Sequence, residues 1–178
     1  MELIDAINTR STAARLTGPG PTPEHLALML AAAARAPDHG RLAPWRLIVL
    51  GGEVRARFIE AVVEARRKRL PAPNAAQLQI ERDKIDRSPT VVVVGCAVAR
   101  GNPKVPEIEQ VIAAGAAVQN LCLAAHALGY GAMWKTGPAA YDAGVKAAVG
   151  LRPDDHIIAI MHLGTRAPQT SDRASKPL

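Results

Sequence analysis

Residues 34–46 read Ala34-Arg35-Ala36-Pro37-Asp38-His39-Gly40-Arg41-Leu42-Ala43-Pro44-Trp45-Arg46, and they join an apolar helix to an apolar strand. Pro37 has no backbone N–H and disfavours helix at the residue before it, so the preceding helix should end near Arg35. The charged side chains that follow therefore lie in a loop with regular structure at both ends. Such loops often carry binding or catalytic residues, although a merely solvated connection would have the same composition.

Hydrophobic periodicity outward from this loop predicts an α+β fold of about four strands with helices on both faces. Thr22, Pro23 and Glu24 are typical of a helix N-terminus. The valine run at 91–94 indicates a central buried strand. The predicted helices are residues 3–8, 22–35, 53–68, 75–87, 107–128 and 138–149, and the predicted strands are 46–50, 90–98, 131–135 and 156–164. Without an evident linker, residues 1–178 are expected to form one domain.

The predicted helix at 107–128 is apolar on most of its faces. A helix that is hydrophobic all round is expected to be buried all round. The small residues at 113–117 would let another backbone approach closely. A second copy of the chain is a natural neighbour for this helix.

The composition favours a packed globular protein with a basic surface. Apolar residues make up 48% of the chain, aromatic residues only 3%, and the formal net charge is +6. The basic charge is compatible with a nucleic acid, with a phosphate-bearing cofactor or with no ligand at all. Few aromatic residues argue against a platform for stacking bases, and the run Arg66-Arg67-Lys68-Arg69 is typical of a solvated helix end.

The chain lacks the signals of export, membrane insertion or metal binding. Its first residues carry acid and no apolar leader segment, and no uncharged apolar run approaches about 18 residues. Cys96 and Cys122 are expected to be buried, reduced thiols, too few for a disulfide framework or a zinc site. We therefore expect a cytoplasmic protein with no membrane contact and no metal.

No standard catalytic motif, such as Gly-x-Ser-x-Gly or a phosphate-binding Walker loop, occurs in the sequence. His126 and His162 lie in apolar contexts and are expected to be structural, hydrogen-bonded histidines. An enzyme without its own nucleophile usually takes its chemistry from a cofactor. Three short pieces could form an anion and ring site: Arg10-Ser11-Thr12, Arg35 with His39, and Trp134-Lys135-Thr136.

Together these pieces resemble the FMN-dependent nitroreductase family, in particular its small NAD(P)H nitroreductases. The strongest motif is Arg35-Ala36-Pro37-Asp38-His39 followed by Pro44-Trp45-Arg46. The start Arg10-Ser11-Thr12 matches the family's Arg-Arg-Ser, with Ser11 in place of the second arginine. The C-terminal segment 167–178 lacks the aromatic ending of similar sequences.

The resemblance implies an α+β nitroreductase fold with a mostly antiparallel sheet, in an intertwined homodimer that binds FMN at its interface. By similarity, Arg10, Ser11 and Thr12 hold the phosphate. The residues expected to contact the flavin are Arg35, His39, Trp134, Lys135 and Thr136. The residues expected to contact NADH or NADPH are Ala124, Ala125, His126, Ala127, Leu128 and Gly129.

The implied activity is an oxidoreductase that passes hydride from NAD(P)H, through flavin N5, to an electron-poor acceptor such as a nitroaromatic compound or a quinone. No protein side chain is expected to react, and Lys135 would stabilise negative charge near the flavin pyrimidine. Two alternatives remain open. One is a flavin-binding module without turnover, and the other is a polyanion or nucleic-acid binder that uses the basic helix end.

Overall fold

The structure is a computed structural model that describes residues 1–168. In chain order its helices are α1 (Leu3–Thr9), α2 (Pro23–Ala33), α3 (Gly52–Arg69), α4 (Ala75–Asp86), α5 (Glu107–Ala127) and α6 (Ala143–Ala148). Its strands are β1 (Leu16–Thr17), β2 (Trp45–Val49), β3 (Thr90–Cys96), β4 (Gly131–Lys135) and β5 (His156–Arg166), and short 3-10 turns cover His39–Arg41 and Pro138–Tyr141. The segment without an aromatic ending, 167–178, lies almost entirely outside the described residues.

The sheet is antiparallel at every strand pair in the described part of the chain. Its strands follow the order β1-β5-β3-β2, and β4 also pairs with β5. The long strand β5 therefore holds the sheet together. The predicted α+β class with a mostly antiparallel sheet is confirmed. A fifth, two-residue strand, β1, adds to the four that were predicted.

Two hydrophobic cores lie on opposite faces of this sheet, because consecutive side chains of a strand point to opposite faces. Val91 and Val93 pack in a core with Phe58 of α3, whereas Val92 and Val94 pack in a core that includes α5. All four valines are fully buried. Burial on both faces explains why this strand is a continuous apolar run rather than an alternating one.

Four predicted boundaries are wrong, and one of them is the strand predicted at 90–98, which ends at Cys96. The helix predicted at 138–149 is interrupted by Asp142, whose carboxylate accepts hydrogen bonds from the backbone N–H groups of Gly144 and Val145 and so begins α6 separately. The strand predicted to end at Gly164 continues to Arg166, because its last residues pair with β1. The helix before the polar loop ends at Ala33, two residues early.

The helix α5 is buried on one side only, so the expectation that it is buried all round is wrong for a single chain. One face packs against α2 and the sheet, but Ile108 and Ile112 on another face are 62% and 63% exposed. In length and composition α5 would also suffice to cross a membrane, although much of it lies inside the fold. A helix beside a sheet covers only one of its faces, and its second apolar face needs another partner.

The basic run at the end of α3 is partly neutralised by neighbouring acids. Arg67 lies 3.1 Å from Glu64, and Arg66 lies 3.6 Å from Glu81. The run forms the last turn of the helix, as predicted, where cations suit the helix dipole. These contacts reduce the positive charge that this helix end offers to a polyanion.

The two cysteines and the two noted histidines match their predicted structural character. Cys96 and Cys122 are free and buried, and burial raises the pKa of Cys96 to about 11. His126 Nε2 lies 2.9 Å from the Thr9 hydroxyl, and His162 Nδ1 is also hydrogen-bonded. Within residues 1–168, no cluster of three or more His, Cys, Asp or Glu side chains could hold a metal ion.

Asp155 is a buried carboxylate that joins the end of β3 to the turn before β5. It accepts hydrogen bonds from the backbone N–H of Val98 at 3.0 Å and from the Arg152 guanidinium at 2.7 Å. Burial by itself would raise the pKa of Asp155, but the hydrogen bonds outweigh burial and lower this pKa from 3.8 to about 2.

Replacing Asp155 with Asn should therefore lower the free energy of unfolding at pH 7 by about 2 kcal/mol, at about 1.4 kcal/mol per pKa unit. Because the folded-state pKa lies below the unfolded one, this stabilisation is complete above about pH 4 and is lost as the pH falls towards 2. Urea unfolding of both proteins at pH 7 and pH 3 measures the effect. Equal stabilities at pH 7 would show that the carboxylate does not stabilise the fold.

Candidate functional site

The segment directly after α1 contains the predicted phosphate-binding cluster Arg10-Ser11-Thr12. Arg10 follows the last turn of α1, and its backbone N–H donates to Ala6. Arg10 and Ser11 are half-buried and Thr12 is exposed. Within residues 1–168, the Arg10 guanidinium has no hydrogen-bond or ion-pair partner in the fold. It is therefore available to an anion.

Arg166, which sequence reasoning missed, completes this cluster. It is the last residue of β5, and its guanidinium donates to Ser11 Oγ at 2.9 Å and to the Ser11 carbonyl oxygen at 2.8 Å. A second guanidinium thus stands beside Ser11, where the sequence lacks the second arginine of the family pattern. The signal in the sequence was a cation directly after Gly164-Thr165, but the strand was predicted to stop before it.

The third predicted piece, at the end of β4, is divided between the two faces of the sheet. Lys135 lies opposite Ile160 of β5 and borders a small cavity next to Thr136. Trp134 lies on the other face, where its indole N–H donates to the carbonyl oxygen of Ile158 at 3.0 Å. Strand alternation therefore separates Trp134 from Lys135, whereas Thr136, just after the strand, borders the same small cavity as Lys135.

A cavity of about 260 Å³ lies beside β1, and we call it the cationic cavity because Arg15 and Arg87 line it. Its lining residues are Ala14, Arg15, Leu16, Thr17, Arg87, Ser88, Met133 and His162. The smaller cavity beside Lys135 and Thr136 shares His162 with it. The two cavities therefore meet at His162, on the face of β4 and β5 that α3 and α4 cover.

The electric field along this surface is positive. Burial lowers the pKa of Lys135, and the nearby charges of Arg87 and Lys84 lower it further. Burial likewise lowers the pKa of His162, to about 4, with Lys135 and Arg87 contributing. Glu81 neutralises Lys84 at the smaller cavity. Arg15, Arg87 and Lys135 have no ion-pair partner within residues 1–168, so the surface suits an anionic ligand.

The polar loop at 34–46 is held in shape by Asp38, which accepts a hydrogen bond from the backbone N–H of Ala43 at 2.6 Å. His39 Nδ1 lies 2.5 Å from the Oε2 atom of Glu109 in the first turn of α5. Arg35 is exposed and lines an apolar groove between α1, α2 and α5. Both predicted flavin contacts of the loop are therefore accessible.

The loop and the phosphate cluster lie at opposite ends of α5. His39 contacts Glu109 in the first turn, whereas Thr9, beside Arg10, contacts His126 in the last turn. At about 1.5 Å per residue these contacts are roughly 25 Å apart along the helix. One small ligand cannot touch both Arg10 and His39 of a single chain.

The stretch expected to contact NAD(P)H forms the C-terminal end of α5 and its cap. Ala125 is fully buried in the core, and His126 is hydrogen-bonded to Thr9. Gly129 has a φ of 86°, the left-handed conformation that suits glycine after a helix. Ala124 and Ala127 line the same groove as Arg35. The geometry explains these residues as a helix end, and nothing in it indicates a nucleotide.

Comparisons with known proteins agree with this geometry. The Nitroreductase family model matches residues 8–165. The protein named "Putative NAD(P)H nitroreductase YdjA" of Escherichia coli (strain K12) is 35% identical over 177 residues, which cover 99% of this chain and 95% of that protein.

Solved structures show the same fold. A nitroreductase-like family protein from Bacillus cereus aligns with a TM-score of 0.83 at 24% identity, over 99% of this chain and 92% of that one. A nitroreductase-fold protein from Desulfovibrio desulfuricans, solved in complex with FMN, aligns with a TM-score of 0.73 at 26% identity, over 100% of this chain and 93% of that one. The chain belongs to the nitroreductase family.

Proposed function

We propose that this protein is an FMN-dependent oxidoreductase that takes reducing equivalents from NADH or NADPH and delivers them to electron-poor acceptors such as nitroaromatic compounds and quinones. The observation that carries the proposal is the Arg166 guanidinium fixed at Ser11, with the charge of Arg10 in the same neighbourhood, since both arginines add to the effect of burial in lowering the pKa of His126. The FMN bound by the Desulfovibrio relative and the name of the Escherichia coli relative support it.

The donors present fit FMN. Arg10, Arg166 and the Ser11 hydroxyl offer the charge-assisted hydrogen bonds that a phosphate accepts. Lys135 and Thr136, at the end of β4, would lie against the flavin ring. The positive charge of Lys135 favours negative charge on the nearby ring, because opposite charges attract strongly where water is partly excluded.

When bound, FMN supplies the hydride chemistry at its N5 atom. The protein's part is to bind the phosphate, to orient the ring against β4 and to leave one ring face open. No side chain of this chain is assigned a proton transfer or a covalent bond.

The active unit in this proposal is a homodimer. His39 of one chain cannot reach a flavin held by Arg10 of the same chain, but His39 of a partner can if two α5 helices pack against each other. The exposed Ile108 and Ile112 on α5 support that contact, because large apolar side chains on one helix face favour association.

One spectrum tests the proposed activity. The purified protein, supplied with FMN and then separated from free flavin, should be yellow and should bleach when NADH or NADPH is added without oxygen. Colour without bleaching would favour a flavin-binding module without turnover. Failure to retain FMN would refute the proposal, and salt-sensitive binding to DNA would then favour the polyanion binder.

The proposal also predicts ping-pong kinetics. The described residues contain no dinucleotide fingerprint, so NAD(P)H and acceptor should use the same open ring face in turn. Initial rates at several fixed acceptor concentrations should give parallel double-reciprocal lines, with competitive inhibition by high acceptor against NAD(P)H. Intersecting lines would contradict a shared face and indicate a second binding site.

A further inference from the structure

The proposed function assigns no ligand to the cationic cavity. Arg15, directly before β1, and Arg87, directly after α4, both line this cavity. Within residues 1–168, neither guanidinium has a hydrogen-bond or ion-pair partner. Two positive charges that share one cavity repel each other, and both would attract an anion placed between them. The cavity is therefore suited to a negatively charged ligand of its own.

The acidic side chains nearest to the cavity are engaged elsewhere. Asp86, the neighbour of Arg87 in the chain, lies 3.4 Å from the Nε atom of Arg55. Glu81, on the same helix, lies 2.8 Å from the ammonium group of Lys84. No carboxylate among the described residues lines the cationic cavity. The fold itself thus leaves the positive charge of this cavity without a counter-charge.

Ser88 and His162 form a buried polar wall of the cavity. They are 3% and 1% exposed, and Ser88 Oγ lies 2.8 Å from His162 Nδ1. Burial and neighbouring cations lower the pKa of His162 to about 4, so its imidazole is neutral at pH 7. A hydroxyl and a neutral imidazole each carry one polar hydrogen, and their shared bond uses only one of the two. The pair therefore has one hydrogen-bond donor left for a ligand.

The turn that carries Ser88 is fixed before any ligand binds. Arg55 of α3 donates hydrogen bonds to the carbonyl oxygens of Ile85 and Ser88, both at 2.8 Å. This contact holds the end of α4 against α3, with Ser88 and Arg87 next to each other in the turn. Groups that are already ordered lose little conformational freedom when a ligand binds.

The cationic cavity and the predicted phosphate cluster are separate centres of positive charge. Burial lowers the pKa of His126 at the end of α5, and the charges of Arg166 and Arg10 lower it further. Burial also lowers the pKa of His162, but the cations that add to the effect include Arg87 and neither Arg10 nor Arg166. Each histidine therefore lies in the field of a different set of cations.

The volume and charge of the cavity limit its ligand to a small oxyanion. Its volume of about 260 Å³ equals roughly nine water molecules at about 30 Å³ each. It lies below the range of about 300–1,000 Å³ for pockets that enclose drug-sized ligands. Two guanidinium groups without a counter-charge favour a doubly charged ligand, and guanidinium groups bind oxyanions through paired, charge-assisted hydrogen bonds.

We propose that the cationic cavity is a second anion site, separate from the flavin phosphate cluster, and that it binds a free, doubly charged oxyanion such as sulfate or phosphate. Arg15 and Arg87 bind the charge, and the Ser88–His162 pair donates one hydrogen bond from the buried wall. This site does not depend on FMN, because none of these four residues belongs to the proposed phosphate cluster.

Sulfate is the probe, because it keeps two negative charges throughout the neutral pH range. Isothermal titration of sulfate into the FMN-saturated protein, at constant ionic strength in chloride, should show one sulfate bound per chain. Arg15→Ala and Arg87→Ala should each weaken this binding about 10-fold or more, the effect of losing one hydrogen bond to a charged group. Both side chains are exposed, so we expect both variants to fold.

Two control variants locate the bound sulfate. Arg69→Ala removes an exposed cation at the opposite end of α3 from Arg55, about 21 Å away at about 1.5 Å per residue, and should leave the affinity unchanged. Arg166→Ala should also leave it unchanged. In the wild type, the backbone amide NMR signals of Ser88 and His162 should move as sulfate is added, and those of Cys122 and His126 should not.

The outcomes keep this proposal apart from the proposed function. Absence of sulfate binding in the wild type, or wild-type affinity in both Arg15→Ala and Arg87→Ala, would overturn the anion site. An equal loss in Arg69→Ala would overturn it as well, because net charge alone would then explain the binding. Displacement of sulfate by FMN, or its loss in Arg166→Ala, would assign the anion to the flavin phosphate cluster instead. Failure to bind FMN refutes only the proposed function, since sulfate titration of flavin-free Arg166→Ala still tests this site.

Discussion

Gly115→Glu should convert the protein from a dimer to a monomer and remove its FMN at the same time. Gly115 lies on α5, and a Cβ atom added there meets nothing within 4 Å in the chain. Glutamate is also a better helix former than glycine, by up to about 1 kcal/mol. The single chain therefore tolerates the change, whereas a helix packed closely against its partner would have to bury an unpaired carboxylate, which costs several kcal/mol.

Light scattering together with flavin absorbance measures the two consequences in one experiment. Ala76→Glu, on the exposed side of the first turn of α4, introduces the same charge and serves as the control. The melting temperature of flavin-free Gly115→Glu should not fall. A monomer that keeps its FMN would show that the flavin site is built within one chain, and an FMN-bound dimer would place the interface away from this part of α5.

Arg10→Ala and Arg166→Ala should each weaken FMN binding by about 1.5–3 kcal/mol, the range for hydrogen bonds to a charged group, which corresponds to roughly 10- to 150-fold in Kd. The physical reason is that both charges lie in one neighbourhood, since both add to the effect of burial in lowering the pKa of His126, and Arg166 is fixed at Ser11 by two hydrogen bonds. Isothermal titration or flavin fluorescence gives the affinities. Riboflavin should bind the wild type much more weakly than FMN does.

Arg67→Ala removes the same charge from a distant helix end and is the matched control. Riboflavin affinity should be nearly unchanged in Arg10→Ala and Arg166→Ala, because riboflavin has no phosphate for these arginines to bind. If both variants weaken riboflavin as much as FMN, the arginines act on the ring or on the fold rather than on the phosphate. Unchanged FMN affinity in either variant would remove that arginine from the site.

The sequence was sufficient to predict most of the regular structure. The valine run at 91–94 predicted the central strand because only a strand buried on both faces lacks polar residues at alternate positions. Thr22-Pro23 predicted the start of α2, and the Thr22 hydroxyl caps the helix as expected. These signals are local, since capping and periodicity depend on residues a few positions apart.

The arrangement of the site could not be predicted in the same way. The three pieces of the motif suggested one site, but the tertiary structure separates the loop of His39 from Arg10 by the length of α5, so that a partner is needed to unite them. The tertiary structure also places the side chains of Trp134 and Lys135 on opposite faces of the sheet. The pairing of β4 with β5 decides which face each of them occupies. Residues distant in sequence acquire such relations only through packing.

The identities of the helices, the main strands and the family motif thus follow from short-range patterns in the sequence. The second guanidinium at Ser11 and the Ser88–His162 pair do not, because their members are 155 and 74 residues apart. Arg166 reaches Ser11 only because β5 extends to pair with a two-residue strand that has no periodicity of its own. Long-range contacts of this kind form only when the strands pair into the sheet, and the sequence alone carries no local signal for them.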